Sequence, residues 1–376
     1  MKTGIGFVIG LLIMSADASA QSSVTLFGVL DEGLNFTSNA GGSKSFQMAS
    51  DDLSISRWGL KGAEDLGGGM HVIFDVESGF NIESGTFGYA GRLFGYQSYV
   101  GLQSDTLGTV TLGRQFDSIA DTIGLLTANG NWAGFLFSHP LDNDNTDSTY
   151  HASNSIKLTS NTYAGLSGEV LYGFSNQPGG FANNRIFSAG LKYSYNTLSL
   201  AAAYADLSAP GSTSGGSIAA DDYGLASATQ KTYGLGANYV VGHTTLGLVY
   251  TNVNVERATT SIYVGSLGAP SPDLRFDNLE FNIKYDISPS LFLGGMYTYT
   301  RAKVSQSGQE YSLHWNQIGV MGQYSLSKRT TLYSQLVYQK VSGASSSLSE
   351  AYIPGSAGVS SNSHQIVARA AITHSF

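Results

Sequence analysis

The chain ends in HQIVARAAITHSF, residues 364–376, and this stretch alternates almost without fault. One face carries Ile366, Ala368, Ala370, Ile372, His374 and Phe376, and the other carries Gln365, Val367, Arg369, Ala371, Thr373 and Ser375. Successive side chains of a strand point to opposite faces, so the segment predicts a strand with one small-to-apolar face and one mostly polar face. Such a strand fits a barrel wall between lipid and water, and a soluble β-sandwich would show the same alternation.

The same period of two recurs along the chain, at residues 187–195, 233–239 and 279–287. In each segment one set of alternate residues is polar and the other is apolar. No segment after residue 20 shows a sustained helical period. These patterns predict an all-β fold.

The breaks between the predicted strands are of two kinds. Short breaks fall at residues 65–69, 104–108, 161–164, 196–197, 241–243, 287–290 and 327–329. Long polar breaks fall near residues 38–50, 82–91, 116–150, 175–185, 207–229, 256–275, 304–311 and 342–362. Strict alternation of seven short and eight long breaks predicts a 16-stranded antiparallel transmembrane β-barrel, with short periplasmic turns and both termini on the periplasmic side. A barrel of this size leaves an aqueous lumen.

The N-terminus has the features of a secretory signal peptide. Lys2 is the positive residue, residues 4–14 are apolar, and Ala18-Ser19-Ala20 is a small-residue cleavage site. We therefore expect residues 1–20 to be a signal peptide and residues 21–376 to be one barrel domain. The apolar run is too short to span a bilayer as a helix, and a buried N-terminal helix is the alternative.

Composition excludes several classes of protein. The net charge of −8 argues against a nucleic-acid partner. The absence of cysteine means that an exported chain has to be stabilised without disulfides, which a closed hydrogen-bonded wall would do. Neither a Gly-x-Ser-x-Gly elbow nor a His-Glu-x-x-His motif is present, so we expect no enzyme activity and no cofactor.

The longest break, residues 116–150, is long enough to require a function. It holds Asp117 and Asp121 near its start, and its middle, residues 123–137, is apolar and aromatic. We predict that it folds against the inside of the barrel, narrows the pore and brings acidic groups into the lumen. An exposed outer loop is the alternative.

Several motifs, in order, carry a resemblance to a known family. They are SSVTLFG (22–28), SRWGLKG (56–62), EDLGGG (64–69), VGL (100–102), LGRQFD (112–117), NSIK (154–157) and the terminal HSF (374–376). Together they resemble the general porins of β-proteobacterial outer membranes over the whole chain after residue 20. The resemblance implies an outer-membrane homotrimer, a third loop folded inward as a constriction, and passive diffusion of ions and small hydrophilic solutes. It also implies that Phe376 is the assembly signal for the outer-membrane insertion machinery, and that lipid and lipopolysaccharide surround the barrel.

In that family, arginines on the wall face acidic residues of the constriction loop. Arg57 matches the arginine of the Ser-Arg-Trp-Gly motif, and the alternation puts it in the lumen. Tyr96 and His151 stand where the family commonly has arginines. We therefore predict a mild preference for cations, or at most a weak preference for anions. Acid would restore the positive charge of His151 near its ordinary pKa of about 6.5 and so shift the selectivity. A substrate-specific channel with a dedicated binding cluster is the alternative function.

Other charged residues have alternative roles. Glu77 faces inward, either as a lumen residue near Arg57 or as its ion-pair partner. Arg114 is predicted to anchor the long loop, through Asp117 or Asp121. The run Asp142 to Asp147 is rich in oxygen ligands that suit calcium, but it lacks a terminal bidentate Glu. The sequence favours a solvated acidic turn there.

Overall fold

Period-two alternation becomes one long antiparallel sheet in the folded chain. A computed structural model describes residues 23–344 and 348–376. The predicted signal peptide, residues 1–20, lies outside the described residues and stays a prediction. No helix among the described residues is long and apolar enough to cross a membrane.

Within the described residues, seventeen strands belong to the main sheet. Numbered in chain order, they are β1 (Ser23–Ala40), β2 (Ser43–Ser50), β3 (Arg57–Gly67), β4 (Met70–Gly79), β5 (Gln97–Ser104), β6 (Gly108–Gln115), β7 (Ala152–Thr159), β8 (Leu166–Gly173), β9 (Arg185–Tyr195), β10 (Leu198–Ser208), β12 (Thr229–Val241), β13 (Thr244–Glu256), β16 (Asp273–Ser288), β17 (Leu291–Gln306), β18 (Gln309–Ser325), β19 (Thr330–Gly343) and β20 (His364–Ser375). A separate small sheet contains β11 (Leu225–Ala226), β14 (Thr260–Ser261) and β15 (Gly265–Ser266).

The main sheet closes on itself at β1. Along one edge, β1 pairs with β20, from Val29 opposite Ser375 to Thr37 opposite Val367. Along its other edge, β1 pairs first with β3 and then with β2, so β2 and β3 share a single position in the wall. The seventeen described strands of the sheet therefore occupy sixteen positions around the wall. This confirms the predicted sixteen-stranded antiparallel barrel.

The two faces of the wall differ as the alternation predicts. Large apolar side chains such as Leu34, Leu235 and Leu293 are more than half exposed on the outer face. Glu280, Gln317 and other polar side chains lie on the opposite, inner face, where they are buried by the chain itself. The apolar outer surface suits lipid, and the polar inner surface suits water or a polar loop.

Two of the predicted long breaks are wrong. Residues 38–50 form a hairpin in which Gly41 and Gly42 alone separate β1 from β2, and both glycines have positive φ, at 59° and 98°. Ser307 and Gly308 alone separate β17 from β18, with φ of 54° and 75°. Paired positive φ values are typical of tight hairpin turns. The polar sequence predicted loops there, but backbone pairing needs no apolar side chains, so the strands continue.

Candidate functional site

Residues 116–150, here called the inner loop, join β6 to β7. Short 3₁₀ and π turns run through it, at Ile119–Ile123, Gly124–Leu126, Asn129–Ala133, Phe135–Phe137 and Pro140–Asp142. These turns pack against the polar face of the sheet, from β9 round to β19. The part of the inner face that they contact, on β9, β10, β12, β13 and β16 to β19, is called the covered wall below.

Glycines of the covered wall accept the apolar side chains of the inner loop. The Ile123 side chain lies over Gly234, so that a Cβ on this glycine would stand only 2.7 Å from it. Trp132 lies over Gly294 in the same way, and Phe137 lies over Gly319. A larger residue at any of these positions would overlap with the loop. The wall therefore has a shape that fits this loop, which explains why an apolar segment lies inside a polar lumen.

Side chains of the covered wall also satisfy the backbone of the loop. The Ala128 N–H donates to a Glu280 carboxylate oxygen at 2.7 Å. The Gln317 amide donates to the Ser138 carbonyl at 3.0 Å, and the Gln335 amide donates to the Ala133 carbonyl. Buried backbone groups need such partners, and here the wall provides them.

An ionic cluster fixes the second half of the inner loop to β16. The His139 ring nitrogens lie 2.6 Å from Asp144 and 3.1 Å from Glu280, and all three side chains are fully buried. Burial by itself would lower the pKa of His139, but Asp144 and Glu280 outweigh it and raise that pKa to about 10. His139 is therefore an imidazolium at neutral pH, and it holds two carboxylates from different elements together.

The acidic run of the loop is not the solvated turn that the sequence favours. Asp142 and Asp144 are buried, and Asp142 accepts the Thr149 hydroxyl at 2.7 Å. Burial raises the pKa of Asp142 well above its ordinary value. The carboxylates of this run accept hydrogen bonds from hydroxyl and backbone N–H groups of the loop, because the loop folds against the wall and not into solvent. Among residues 23–344 and 348–376, no group of His, Asp or Glu is arranged to hold a metal ion.

The two candidate carboxylates near the start of the loop lie in different surroundings. Asp117 is 0% exposed and accepts hydrogen bonds from the Ala120 N–H at 3.1 Å and the Tyr150 hydroxyl at 3.2 Å. Burial raises its pKa to about 7. Asp121 stays partly exposed and pairs with Lys157 on β7. The prediction that both bring charge into the lumen is therefore wrong for Asp117, which caps a loop turn.

The tip of the inner loop reaches residues 51–56, the segment between β2 and β3. The Phe135 N–H donates to the Asp52 carbonyl at 2.6 Å. The Asp52 carboxylate in turn lies 2.9 Å from the Arg369 guanidinium, which also pairs with Asp31 at 2.7 Å. The loop thus crosses the barrel and is fixed at its far side by the closing strands β1 and β20.

The inner face of β3, β4 and β5 is called the open wall below, because the side chains of Lys61 and Asp75 there are exposed and half-buried, respectively. Arg57 lies here, and its Nε is 2.6 Å from Glu77 on the neighbouring strand. Its guanidinium also stacks over the Tyr96 ring at 4.5 Å and donates to the Ile55 carbonyl at 2.9 Å. The nearest carboxylate partner of Arg57 is therefore Glu77, a wall residue, and neither Asp117 nor Asp121.

Tyr96 and His151 form an aromatic cluster at one edge of the open wall. The His151 ring lies 5.0 Å from Tyr89, 5.8 Å from Tyr96 and 4.8 Å from Phe116, between ring centroids. His151 is 0% exposed. Burial, with Arg114 nearby, lowers the pKa of His151 to about 4, well below the ordinary value on which the predicted acid response depends.

Arg114 forms a buried ion pair, but its partner is Asp222 at 2.5 Å and neither Asp117 nor Asp121.

A cavity of about 230 Å³ lies between the inner loop and residues 51–55. Its lining combines carboxylates and apolar side chains, namely Asp51, Asp121, Asp147, Leu53, Leu125, Phe135 and the rings of Tyr96 and Phe116. Burial, with Asp31 and Asp52 nearby, raises the pKa of Asp51 to about 7. Burial likewise raises the pKa of Asp147 to about 7.

The closed antiparallel barrel can be compared with known proteins. The family model for Gram-negative porins matches residues 8–344 of this chain. The chain belongs to the Gram-negative porin family. It is therefore an outer-membrane channel and not an enzyme.

Individual relatives of this porin agree with the family assignment. It is 29% identical to an outer membrane porin protein of Bordetella pertussis, over 86% of this chain and 90% of that protein. It is 26% identical to outer membrane porin protein 32 of Delftia acidovorans, over 98% of both chains. Among solved structures, an anion-selective porin from Comamonas acidovorans has a TM-score of 0.71 at 22% identity, covering 95% of this chain and 100% of that one. The trimer form of OmpT, an outer membrane protein of Vibrio cholerae, has a TM-score of 0.66 at 15% identity, covering 94% of this chain and 99% of that one.

The structure brings together only some of the site residues that the sequence predicts in this porin. Arg57, Glu77 and Tyr96 are in mutual contact on the open wall. Asp121 reaches the cavity, whereas Asp117 and His151 are buried behind it. Sequence reasoning missed Asp51, Leu53 and Leu125. The Asp51-Asp52 pair shortly before the Ser-Arg-Trp-Gly motif was a usable signal for Asp51, but Leu125 had none.

Proposed function

We propose that this porin is a general diffusion channel for ions and small hydrophilic solutes, in which the cavity beside the inner loop is the narrowest part of the water path. The observation that carries the proposal is the packing of residues 116–150 on the covered wall. That packing fills one side of the lumen. In this proposal the water path runs through the cavity between the loop and residues 51–55, beside the open wall. Pore radius at such a constriction sets the size limit for solutes.

We further propose a mild preference for cations. Asp51, Asp121 and Asp147 line the cavity, and Lys157 offsets only Asp121 among the described ion pairs. Glu77 offsets the positive charge of Arg57. The lining charge at close quarters decides which ions pass a narrow pore, and here it is negative on balance. Neutral Tyr96 and His151 stand where the family has arginines, and this supports the same direction.

A planar-bilayer measurement tests both proposals. Purified protein is reconstituted, and the reversal potential is recorded across a potassium chloride gradient. Stepwise conductance with a potential of the sign for cation preference is the expected result. Strong anion preference would keep the channel and refute the charge argument, and absence of conductance from folded protein would refute the channel.

Assembly and targeting remain parts of this proposal. We propose a homotrimer, which the trimeric Vibrio cholerae neighbour supports, and residues 1–20 as a signal peptide. We also propose Phe376 as the assembly signal that the outer-membrane insertion machinery reads. Lipid and lipopolysaccharide would contact the apolar outer face of the inserted barrel. The Phe376 N–H donates to the Gly28 carbonyl at 3.0 Å, so the terminal residue lies at the seam where the barrel closes. Cross-linking of native membranes would reveal the trimer, and truncation of Phe376 should slow assembly.

The alternative function is a substrate-specific channel. The apolar side chains of the cavity favour it, because a purely general diffusion path would expose polar groups at its narrowest part.

A further inference from the structure

The lumen side of the inner loop carries an exposed leucine. Ile123 and Leu126 pack against Gly234 and Gly236 of the covered wall. Leu125, between them, is directed the opposite way, and its side chain is 50% exposed at the cavity. The exposed part of this side chain is not buried against the wall. It leaves apolar surface in water that a solute could cover.

The opposite side of the cavity is apolar as well, and it is held in place. Leu53 and Ile55 belong to the segment between β2 and β3 and line the cavity. The Ser56 N–H donates to Asp51 at 2.7 Å, and Arg57 donates to the Ile55 carbonyl at 2.9 Å. Together with the bond from Phe135 to Asp52, these contacts fix the segment from both sides. The apolar groups of both segments therefore line one preformed cavity, which lowers the cost of ordering a bound solute.

Two carboxylates at the same cavity have no cationic partner among the described ion pairs. The Asp51 carboxylate accepts the Ser56 N–H, and the Asp147 carboxylate accepts the Ser138 hydroxyl at 3.0 Å. Asp121 differs, because Lys157 already pairs with it. A solute with a positive group would thus find two acceptors beside an apolar surface. An anion would find neither attraction nor a donor at these two positions.

We propose that the cavity selects amphipathic organic cations, in which a single apolar ring or short alkyl body carries one ammonium group. The apolar body would lie between Leu53, Leu125 and Phe135, and the ammonium group would lie near Asp51 and Asp147. The volume of about 230 Å³ corresponds to roughly eight water molecules at about 30 Å³ each, which is room for one ring. The inference rests on the proposed function, since it requires that solutes pass this cavity.

The test uses full-length channels in planar bilayers, with 2-phenylethylammonium as the probe. Ethylammonium keeps the charge without the ring, and phenylacetate keeps the ring with the opposite charge. The readout is the concentration of each probe that halves the potassium chloride current. We expect 2-phenylethylammonium to block at a concentration about tenfold below that of ethylammonium, as burial of a few apolar carbons predicts. We expect phenylacetate to block least.

A matched pair of variants assigns the effect to the cavity. Leu125→Asn should raise the half-blocking concentration of 2-phenylethylammonium about tenfold and leave that of ethylammonium unchanged. Leu326→Asn is the control, because this leucine is similarly exposed but lies at the short turn between β18 and β19. If Leu125→Asn does not insert into bilayers, Leu53→Gln removes apolar surface from the opposite side of the cavity.

The outcomes separate this inference from the proposal beneath it. Absence of potassium chloride conductance, or strong anion preference, refutes the proposed function. Cation-preferring channels that 2-phenylethylammonium and ethylammonium block equally refute the amphipathic solute alone. Equal effects of Leu125→Asn and Leu326→Asn would also refute it, because block would then arise outside the cavity.

Discussion

The covered wall and the open wall belong to one barrel and share the same alternation of polar and apolar side chains. Their inward side chains nevertheless make different contacts. The covered wall presents glycines and uncharged amides to the inner loop, with Glu280 as its main ionic anchor. The open wall holds Arg57 and Glu77 as an ion pair in which Arg57 is partly exposed and Glu77 is nearly buried. Inward polar residues of this barrel therefore have two roles, and their local partners decide which role each of them has.

The largest expected effect comes from filling the glycine positions of the covered wall. Gly294→Leu combined with Gly319→Leu would displace Trp132 and Phe137 from their contacts. Overpacking costs about 1–3 kcal/mol at each site, so the inner loop should leave the wall. Because the loop narrows the path, we expect single-channel conductance to change by about twofold or more and open-channel noise to increase.

The control for this pair lies on the same strand. Gly295 is adjacent to Gly294, but a Cβ there would meet only ordinary contacts, the nearest of them Ile283 at 3.7 Å. Gly295→Leu should therefore leave conductance unchanged. If it altered conductance as strongly as the pair, the effect would come from the barrel and not from the loop.

Removing the ionic anchor should have the next largest effect. Glu280→Ala deletes the acceptor for the Ala128 N–H and one partner of His139. Breaking a buried ion pair from one side costs about 3–5 kcal/mol. We expect the inner loop to become cleavable by added protease in reconstituted channels. Glu256→Ala, at the exposed end of β13, is the control. If the protease cleaves the inner loop no faster in Glu280→Ala than in Glu256→Ala, the glycine contacts suffice to hold the loop.

On the open wall, the Arg57–Glu77 pair offers a test of charge compensation. Glu77→Gln leaves Arg57 without its carboxylate and should shift the potassium-to-chloride permeability ratio about twofold toward chloride. Arg57→Gln should shift it by a similar amount toward potassium. The variant with both changes should lie close to the wild type, as reversal potentials would show. Shifts of the same sign in both single variants would contradict the pairing.

The smallest expected effect is a pH dependence of selectivity. Burial raises the pKa values of Asp51 and Asp147 to about 7, so both carboxyls gain protons as pH falls from 8 to 6. Asp31 and Asp52 face Asp51, whereas Ser138, Asn129, Asp52 and Asp144 face Asp147. Cation preference should therefore decline over this range. His151 does not add to this change, since its pKa of about 4 keeps it neutral over the range.

Matched variants check the origin of that pH dependence. Asp51→Asn with Asp147→Asn should give a reversal potential that changes little between pH 8 and pH 6. Asp105→Asn is a control, because Asp105 lies at the short turn between β5 and β6. A wild-type reversal potential that stays constant over the range would contradict the assignment to these two carboxyls.

The sequence predicts the barrel well and the candidate site only in part. Parity alone gives the inward direction of Arg57 and Glu77, because the period of a strand is fixed by its backbone. Parity does not say that these two residues pair with each other, since that depends on the register between β3 and β4. Asp117 and His151 look like pore residues in the sequence, but contacts from distant segments bury both.

From the sequence alone, the alternation predicts a closed antiparallel barrel, and the apolar middle of residues 116–150 predicts a loop folded inside it. Alternation fixes the faces of each strand, and an apolar loop next to polar wall strands has few other places to go. Which carboxylates meet water and which cap loop turns became clear only in the folded chain. The physical reason is that burial of a carboxylate depends on neighbours such as Tyr150 and residues 51–56, and folding alone brings these together.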